Sequence, residues 1–271
     1  MMKAISKAVL LFLASVATLP AVAENTILAS LSPAITSAGA VDPKWADSFA
    51  EFSAADKASM PAAGGVLFVG SSSIRLWEHI DQQFSEAPVV INRGFGGSRM
   101  EDCAKNLGRL VTPYKPRLVV VYAGDNDLAE GRSPEQVLRS FATFVEGVRS
   151  GLPNARIAYV SIKPSVARAS LLPQIRSTNA LLKDYVHTLP NVEYIDIFNA
   201  MLDANGAPRA DLFREDKLHM NAAGYAIWRQ AIAPSLRVGQ GTATASAAVR
   251  PASPLAKVPA VANAVQGNLV R

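Results

Sequence analysis

The stretch VLFVGSSSIRLW, residues 66–77, decides how the chain folds. The apolar residues Val66–Val69 end at Gly70 and give way to Ser71, Ser72 and Ser73. A short apolar run closed by Gly and Ser reads as a buried strand entering a turn. Similar runs recur at Val89–Ile91, Leu118–Tyr122, Ile157–Ile162 and Val192–Ile197. Between them, helical spacing of apolar residues appears at 99–110, 134–151, 170–188 and 221–235. Strands apolar at nearly every position, alternating with helices, predict a parallel sheet covered on both faces. Such sheets bind ligands beyond the carboxyl ends of their strands. The three serines stand at one such end, so the turn is a candidate for chemistry as well as for a simple reversal.

The two ends of the chain read differently from its middle. Residues 1–23 have the form of a secretory signal peptide: Lys3 and Lys7, an apolar run Ala8–Leu19, and small residues at Ala21 and Ala23. The apolar run falls short of the roughly 18 residues a membrane span needs, and no other segment reaches that length. A secreted or periplasmic location is expected. Residues 24–42 read as a flexible leader, 43–237 as one domain, and 238–271 as a disordered Ala/Pro-rich tail. The formal charge of +5 resides in the ends. Lys3 and Lys7 supply two charges and Arg250, Lys257 and Arg271 three, leaving 24–237 neutral. Nucleic-acid binding by the domain therefore has little support. The one cysteine, Cys103, lies in an apolar-spaced helical stretch and reads as a buried free thiol. Trp45, Phe49 and Phe52 share helical spacing and read as packing contacts.

The other strand ends also carry polar blocks. NRGFGGS (92–98) follows the second strand, GDND (124–127) the third, and DKLHMNAAGYAIW (216–228) comes after the fifth. In this order on one sheet edge, the blocks resemble those of the SGNH, or GDSL-type, hydrolases. GSSSIRLW and NRGFGGS are also similar to the branch near platelet-activating-factor acetylhydrolases and bacterial acetyl-esterases. The resemblance covers roughly residues 66–235. It implies that Ser72 is the nucleophile, that Gly97 and Asn126 stabilise the oxyanion, and that Asp216 and His219 complete a triad. The sequence departs from the family pattern at Ser71, which replaces an Asp, and at Ser73, which replaces a Leu or Ile. The choice among the three serines is thus open to test. The family fold implied is a flavodoxin-like α/β/α sandwich on a five-stranded parallel sheet of order 2-1-3-4-5.

Elementary chemistry supports these roles. A serine hydroxyl needs a base to take its proton. Of the three histidines, His79 and His187 have no suitable carboxylate and read as surface or packing residues. His219 has Asp216 three residues before it, close enough to fix the tautomer and leave Nε2 for the serine. A helix cap is the structural alternative for that pair. Three donors lie near the strand ends: the Ser72 N–H, the Gly97 N–H and the Asn126 amide. Gly97 and Asn126 equally suit turns or caps. Asp127 reads as a loop-fixing residue. No second His or Cys sits near enough for a metal shell, and no cofactor is expected. GFGGSR fails as a dinucleotide loop because Arg99 occupies the third glycine position. GSSSI lacks the second glycine of an α/β-hydrolase elbow.

Arg75, Trp77, Tyr122, Lys163 and Phe213 adjoin the blocks and are candidates for a substrate pocket, with packing as the plainer role for each. The expected activity is hydrolysis of short acyl esters, acetyl foremost, through an acyl-enzyme. The rival readings are a lipid-directed lysophospholipase or thioesterase, and a non-catalytic module binding envelope glycans. The acyl acceptor, whether glycan, lipid or small ester, and the oligomeric state are not legible.

Overall fold

The structure is a computed structural model that describes residues 41–237. The signal peptide, all but the end of the leader, and the tail read from the sequence lie outside the described residues. Five parallel strands, β1 (Val66–Gly70), β2 (Val90–Gly94), β3 (Leu118–Tyr122), β4 (Arg156–Val160) and β5 (Val192–Ile195), form one sheet. Their order is β2-β1-β3-β4-β5. The helices are α1 (Ala46–Ala58), α2 (Ser72–Arg75), α3 (Ile80–Gln83), α4 (Met100–Lys105), α5 (Leu107–Leu110), α6 (Asp125–Ala129), α7 (Pro134–Gly151), α8 (Leu172–His187) and α9 (Ala222–Arg237).

Successive strand side chains point to opposite faces, so each strand feeds two cores. Leu67, Val69, Val119 and Val121 pack with Phe49 of α1, Met100 and Cys103 of α4, Phe141 and Phe144 of α7, and Leu182 of α8. Val66, Phe68, Leu118 and Val120 pack with Ile80 of α3 and with Tyr225, Trp228 and Ile232 of α9. Burial on both faces is why β1 and β3 are apolar nearly throughout. Trp45 and Phe49 are buried against Phe95 just past β2, with ring centroids 5.2 and 5.4 Å away.

Several boundaries differ from the sequence reading. The helix expected over 99–110 breaks at Asn106, whose side chain donates to the Asp102 carbonyl at 2.9 Å. Such local bonding competes with the helical ladder. β2 runs on through Asn92, Arg93 and Gly94. Arg93 is buried there because Asp56 and the Tyr114 hydroxyl meet its guanidinium. β4 and β5 stop before Ile162 and Ile197. The Asn179 side chain instead caps both the Ile162 N–H and its carbonyl, at 2.8 and 2.9 Å. The one-turn helices α2, α3 and α6 carry too few residues for a period to show.

At its end β1 presses on β3. Gly70 has φ +146°, and a Cβ there would stand 1.9 Å from the Tyr122 carbonyl oxygen. No side chain fits without moving backbone. Gly70→Ala is therefore expected to destabilise the fold by about 3 kcal/mol or more in urea unfolding. Gly108→Ala is the control, since a Cβ there meets nothing within 4 Å. Its effect should be neutral, or stabilising by up to about 1 kcal/mol.

Candidate active site

The strand order places three loops side by side. Gly70 is in register with Gly94 of β2 and Tyr122 of β3. The loop after β1 thus lies between the loops after β2 and β3. Backbone bonds carry the contact past the strands: Phe95 N–H donates to the Gly70 carbonyl at 2.8 Å, and Ser71 N–H to the Tyr122 carbonyl at 3.1 Å.

Of the three serines, Ser71 and Ser73 are 0% and 1% exposed, and neither hydroxyl has a hydrogen-bond partner. Ser72 opens α2 and is half-buried. Its Oγ lies 2.9 Å from His219 Nε2. His219 Nδ1 lies 2.6 Å from Asp216 Oδ2. A carboxylate only accepts, so the ring hydrogen sits on Nδ1 and Nε2 is left to accept from the serine. The loop holding this pair is tight. Lys217 adopts φ +57°, and Arg214 N–H closes onto the His219 carbonyl at 2.8 Å. Asp216 Oδ1 accepts from the Leu218 and His219 N–H groups at 2.9 and 2.8 Å. The start of α9 is capped by Asn221, which accepts from Ala223 and Gly224 N–H. Asp216 therefore does not cap that helix.

Burial pushes the Asp216 carboxyl upward, but the bonds from His219 and Leu218 outweigh it and hold its pKa at about 2. The group stays ionised wherever the imidazole needs a partner.

The expected donors converge on the same edge. Gly97 has φ +68°, which turns the loop after β2. Among the described residues, nothing accepts from the Ser72 or Gly97 N–H. Asn126, in the first turn of α6, donates from Nδ2 to the Ser98 carbonyl at 2.9 Å. Its Oδ1 accepts from Arg168 Nη2 at 2.8 Å. Asp127 accepts from the Met100 N–H at 3.0 Å and so ties the loop after β3 to the start of α4. Burial raises its carboxyl to about 6.

The pocket candidates fare differently. Trp77 is 2% exposed and stacks on Tyr225 at 4.9 Å, because the turn after α2 folds its ring inward to the core. Tyr122 is fully buried against Trp228, since its position in β3 faces the α9 side. Both belong to the core. Lys163 is buried too, and its ammonium is taken up by Asp125 at 2.7 Å and the Tyr122 hydroxyl at 3.1 Å. Phe213 is buried in the α9-side core. Arg75 alone of the five is exposed, beside Gly96. His79 and His187 are exposed, away from any such pair. Cys103 is wholly buried, and burial pushes its thiol far up.

Sequence reasoning missed Asp125 and Arg168. Arg168 lies in a 3₁₀ segment (Val166–Leu171) with no motif around it, and it meets Asn126 42 residues away in sequence. Only the fold brings them together. Among the described residues, no cluster of His, Cys, Asp or Glu has the form of a metal site, and no helix is long and apolar enough to cross a membrane.

A family model for the GDSL-like lipase/acylhydrolase family matches residues 47–227. The chain belongs to that family. As a GDSL-like acylhydrolase it shares its fold with several solved structures. One is a Streptococcus pneumonia protein whose name refers to platelet activating factor, 19% identical over 70% of this chain and 91% of that one, TM-score 0.63. A variant of an acetyl esterase, solved with an acetate ion, is 20% identical over 64% and 96%, TM-score 0.53. A variant of an acetyl-xylooligosaccharide esterase from Geobacillus Stearmophilus is 14% identical over 69% and 99%, TM-score 0.53. A search of curated proteins found no match.

The Asp216 titration is open to direct measurement. Carboxyl-carbon NMR should find it half-protonated near pH 2, below its ordinary 3.8. A lowered folded pKa stabilises the ionised form, so its contribution to stability is complete above the ordinary value and is lost as pH falls toward 2. A midpoint at or above 3.8 contradicts the hydrogen bonding described.

Proposed function

We propose that the protein is an exported serine esterase that cleaves short acyl esters, with acetyl the preferred group. The observation that carries this is the unbroken line from Asp216 through His219 to Ser72, at 2.6 and 2.9 Å. In this reading Ser72 Oγ attacks the ester carbonyl while His219 Nε2 takes its proton. Asp216 holds the ring and stabilises the imidazolium. The carbonyl oxygen, now negative, accepts from the Ser72 and Gly97 N–H groups and from the Asn126 N–H that Ser98 leaves unused. His219 then protonates the departing alkoxide, leaving the acyl group on Ser72. A water molecule, deprotonated by His219, attacks that ester, releases the acid and restores the serine hydroxyl. No step requires a cofactor or a metal.

Export rests on the N-terminal pattern of residues 1–23. The preference for a small acyl group is supported by the polar groups on the same sheet edge, the Asn126 amide and the Arg168 guanidinium that meets it. The acetyl-esterase names among proteins of the same fold agree with it.

Two measurements test the reading. A fluorophosphonate should label one residue, Ser72, and Ser72→Ala should abolish labelling while Ser71→Ala and Ser73→Ala retain it. Labelling that survives Ser72→Ala assigns the chemistry to another residue. A p-nitrophenyl ester series should favour acetate over octanoate by about tenfold or more in kcat/KM. The opposite preference supports the lipid-directed reading.

A further inference from the structure

The Asn126 amide can face its surroundings in two ways, related by a 180° flip. Only one presents a spare N–H to a substrate oxygen. Two neighbours of opposite kind select it. A backbone carbonyl only accepts, so the Ser98 oxygen at 2.9 Å demands the nitrogen. A guanidinium only donates, so Arg168 at 2.8 Å demands the oxygen.

Arg168 is itself fixed. Its Nη1 lies 3.0 Å from Asp125 Oδ2, and the same oxygen takes Lys163 at 2.7 Å. Asp125 and Lys163 are both nearly inaccessible, so this ion pair acts at low dielectric and holds its geometry. Arg168 also interrupts its 3₁₀ segment, at φ −120° and ψ 27°. Next to it, Ala167 N–H donates to the carbonyl of Lys217, inside the Asp216–His219 loop, at 3.0 Å. One short segment thus touches both the amide donor and the loop of the general base.

We infer that Arg168 is a positioning residue: paired with the Asp125 carboxylate, which Lys163 anchors in turn, it locks the Asn126 amide with its N–H turned to the developing oxyanion. The lock is charge-assisted, so it resists rotation better than the Ser98 bond alone. It also polarises the amide. Drawing electron density toward Oδ1 makes the Nδ2 hydrogens better donors, and this effect is largest when the substrate oxygen carries charge. Arg168 thereby favours the transition state over the bound ester without touching either. A lysine replaces it poorly, because one ammonium cannot both donate to Asn126 and lie against Asp125, where two separate guanidinium nitrogens do so now.

The inference rests on the oxyanion role proposed for Asn126, and a double-mutant cycle on p-nitrophenyl acetate hydrolysis separates the two. Asn126→Ala should lower kcat about 10²–10³-fold. Arg168→Met should lower kcat about 10–100-fold with KM within about twofold, the mark of an interaction felt in the transition state. The double variant should be no slower than Asn126→Ala, because Arg168 works only through that amide. Arg168→Lys should recover less than half of the logarithmic loss. A multiplicative double variant, a loss confined to KM, or full rescue by lysine overturns the inference. If Asn126→Ala is fully active, the oxyanion role itself falls, and the lock with it. Should Arg168→Met fail to fold, Arg168→Lys keeps the buried charge and is carried through the same cycle, with the same outcomes for and against. Fluorophosphonate labelling of Ser72 in every variant reports whether the nucleophile is intact, so a failure of the esterase reading shows in the parent protein first.

Discussion

The parallel pairing of β1 with both neighbours is the constraint from which the rest of the molecule follows. Because Gly70 stands level with Gly94 and Tyr122, three strands end on one line. The loops that leave them have no choice but to share a rim. Ser72, Gly97 and Asn126 are then neighbours by topology before any side chain contact is made. The last strand's return path brings Asp216 and His219 over the same rim, His219 lying 147 residues from the serine in sequence. The close fit at Gly70 is what allows β1 to end between its neighbours without a gap.

That rim is also where the domain concentrates its buried polarity. Asp125, Asp127 and Lys163 are nearly inaccessible, yet each meets partners suited to its charge. Burial pushes the Asp125 carboxyl up, but Lys163 and Arg168 outweigh it and leave it below the ordinary range. Such pairs contribute little net stability once desolvation is counted. Their effect is geometric: they leave few alternative positions for the loops that carry the donors. The satisfaction is not complete: Asp125 Oδ1 takes no hydrogen bond, nor do the hydroxyls of Ser71 and Ser73, buried at the neighbouring turn.

The sheet was legible because β1 and β3 are apolar nearly throughout and each other strand holds an apolar run, and α7 was legible to the residue. Its start combines Ser133, Pro134 and Gln136 in a capping box, and its core face repeats through Val137, Phe141, Phe144, Val145 and Val148. Periodicity failed where side chains override it, as at Asn106, and where a helix has a single turn. The pair Asp216–His219 was legible since both residues lie within one local turn. The pocket residues were not. Trp77 and Tyr122 are adjacent to the motifs in sequence, but alternation and turn direction send them inward. Adjacency along the chain says nothing of which face a side chain takes. Arg168 was invisible for the converse reason: its partners come from β3's end and it belongs to a segment after β4.

Trp45 gives the fold an asymmetry between its two ends. Its indole N–H donates to the Gly96 carbonyl at 2.8 Å, next to Gly97, the glycine proposed as an oxyanion donor. At the other end, Arg117 and Arg156 hold the Leu236 and Ser235 carbonyls at the amino edge of the sheet, away from the rim. The opening of the domain is therefore an outlying strut of the reaction centre, whereas its closing helix is moored on the far shore. A tag or fusion partner joined after Arg237 leaves the centre alone; one joined just ahead of Trp45 leans directly on it.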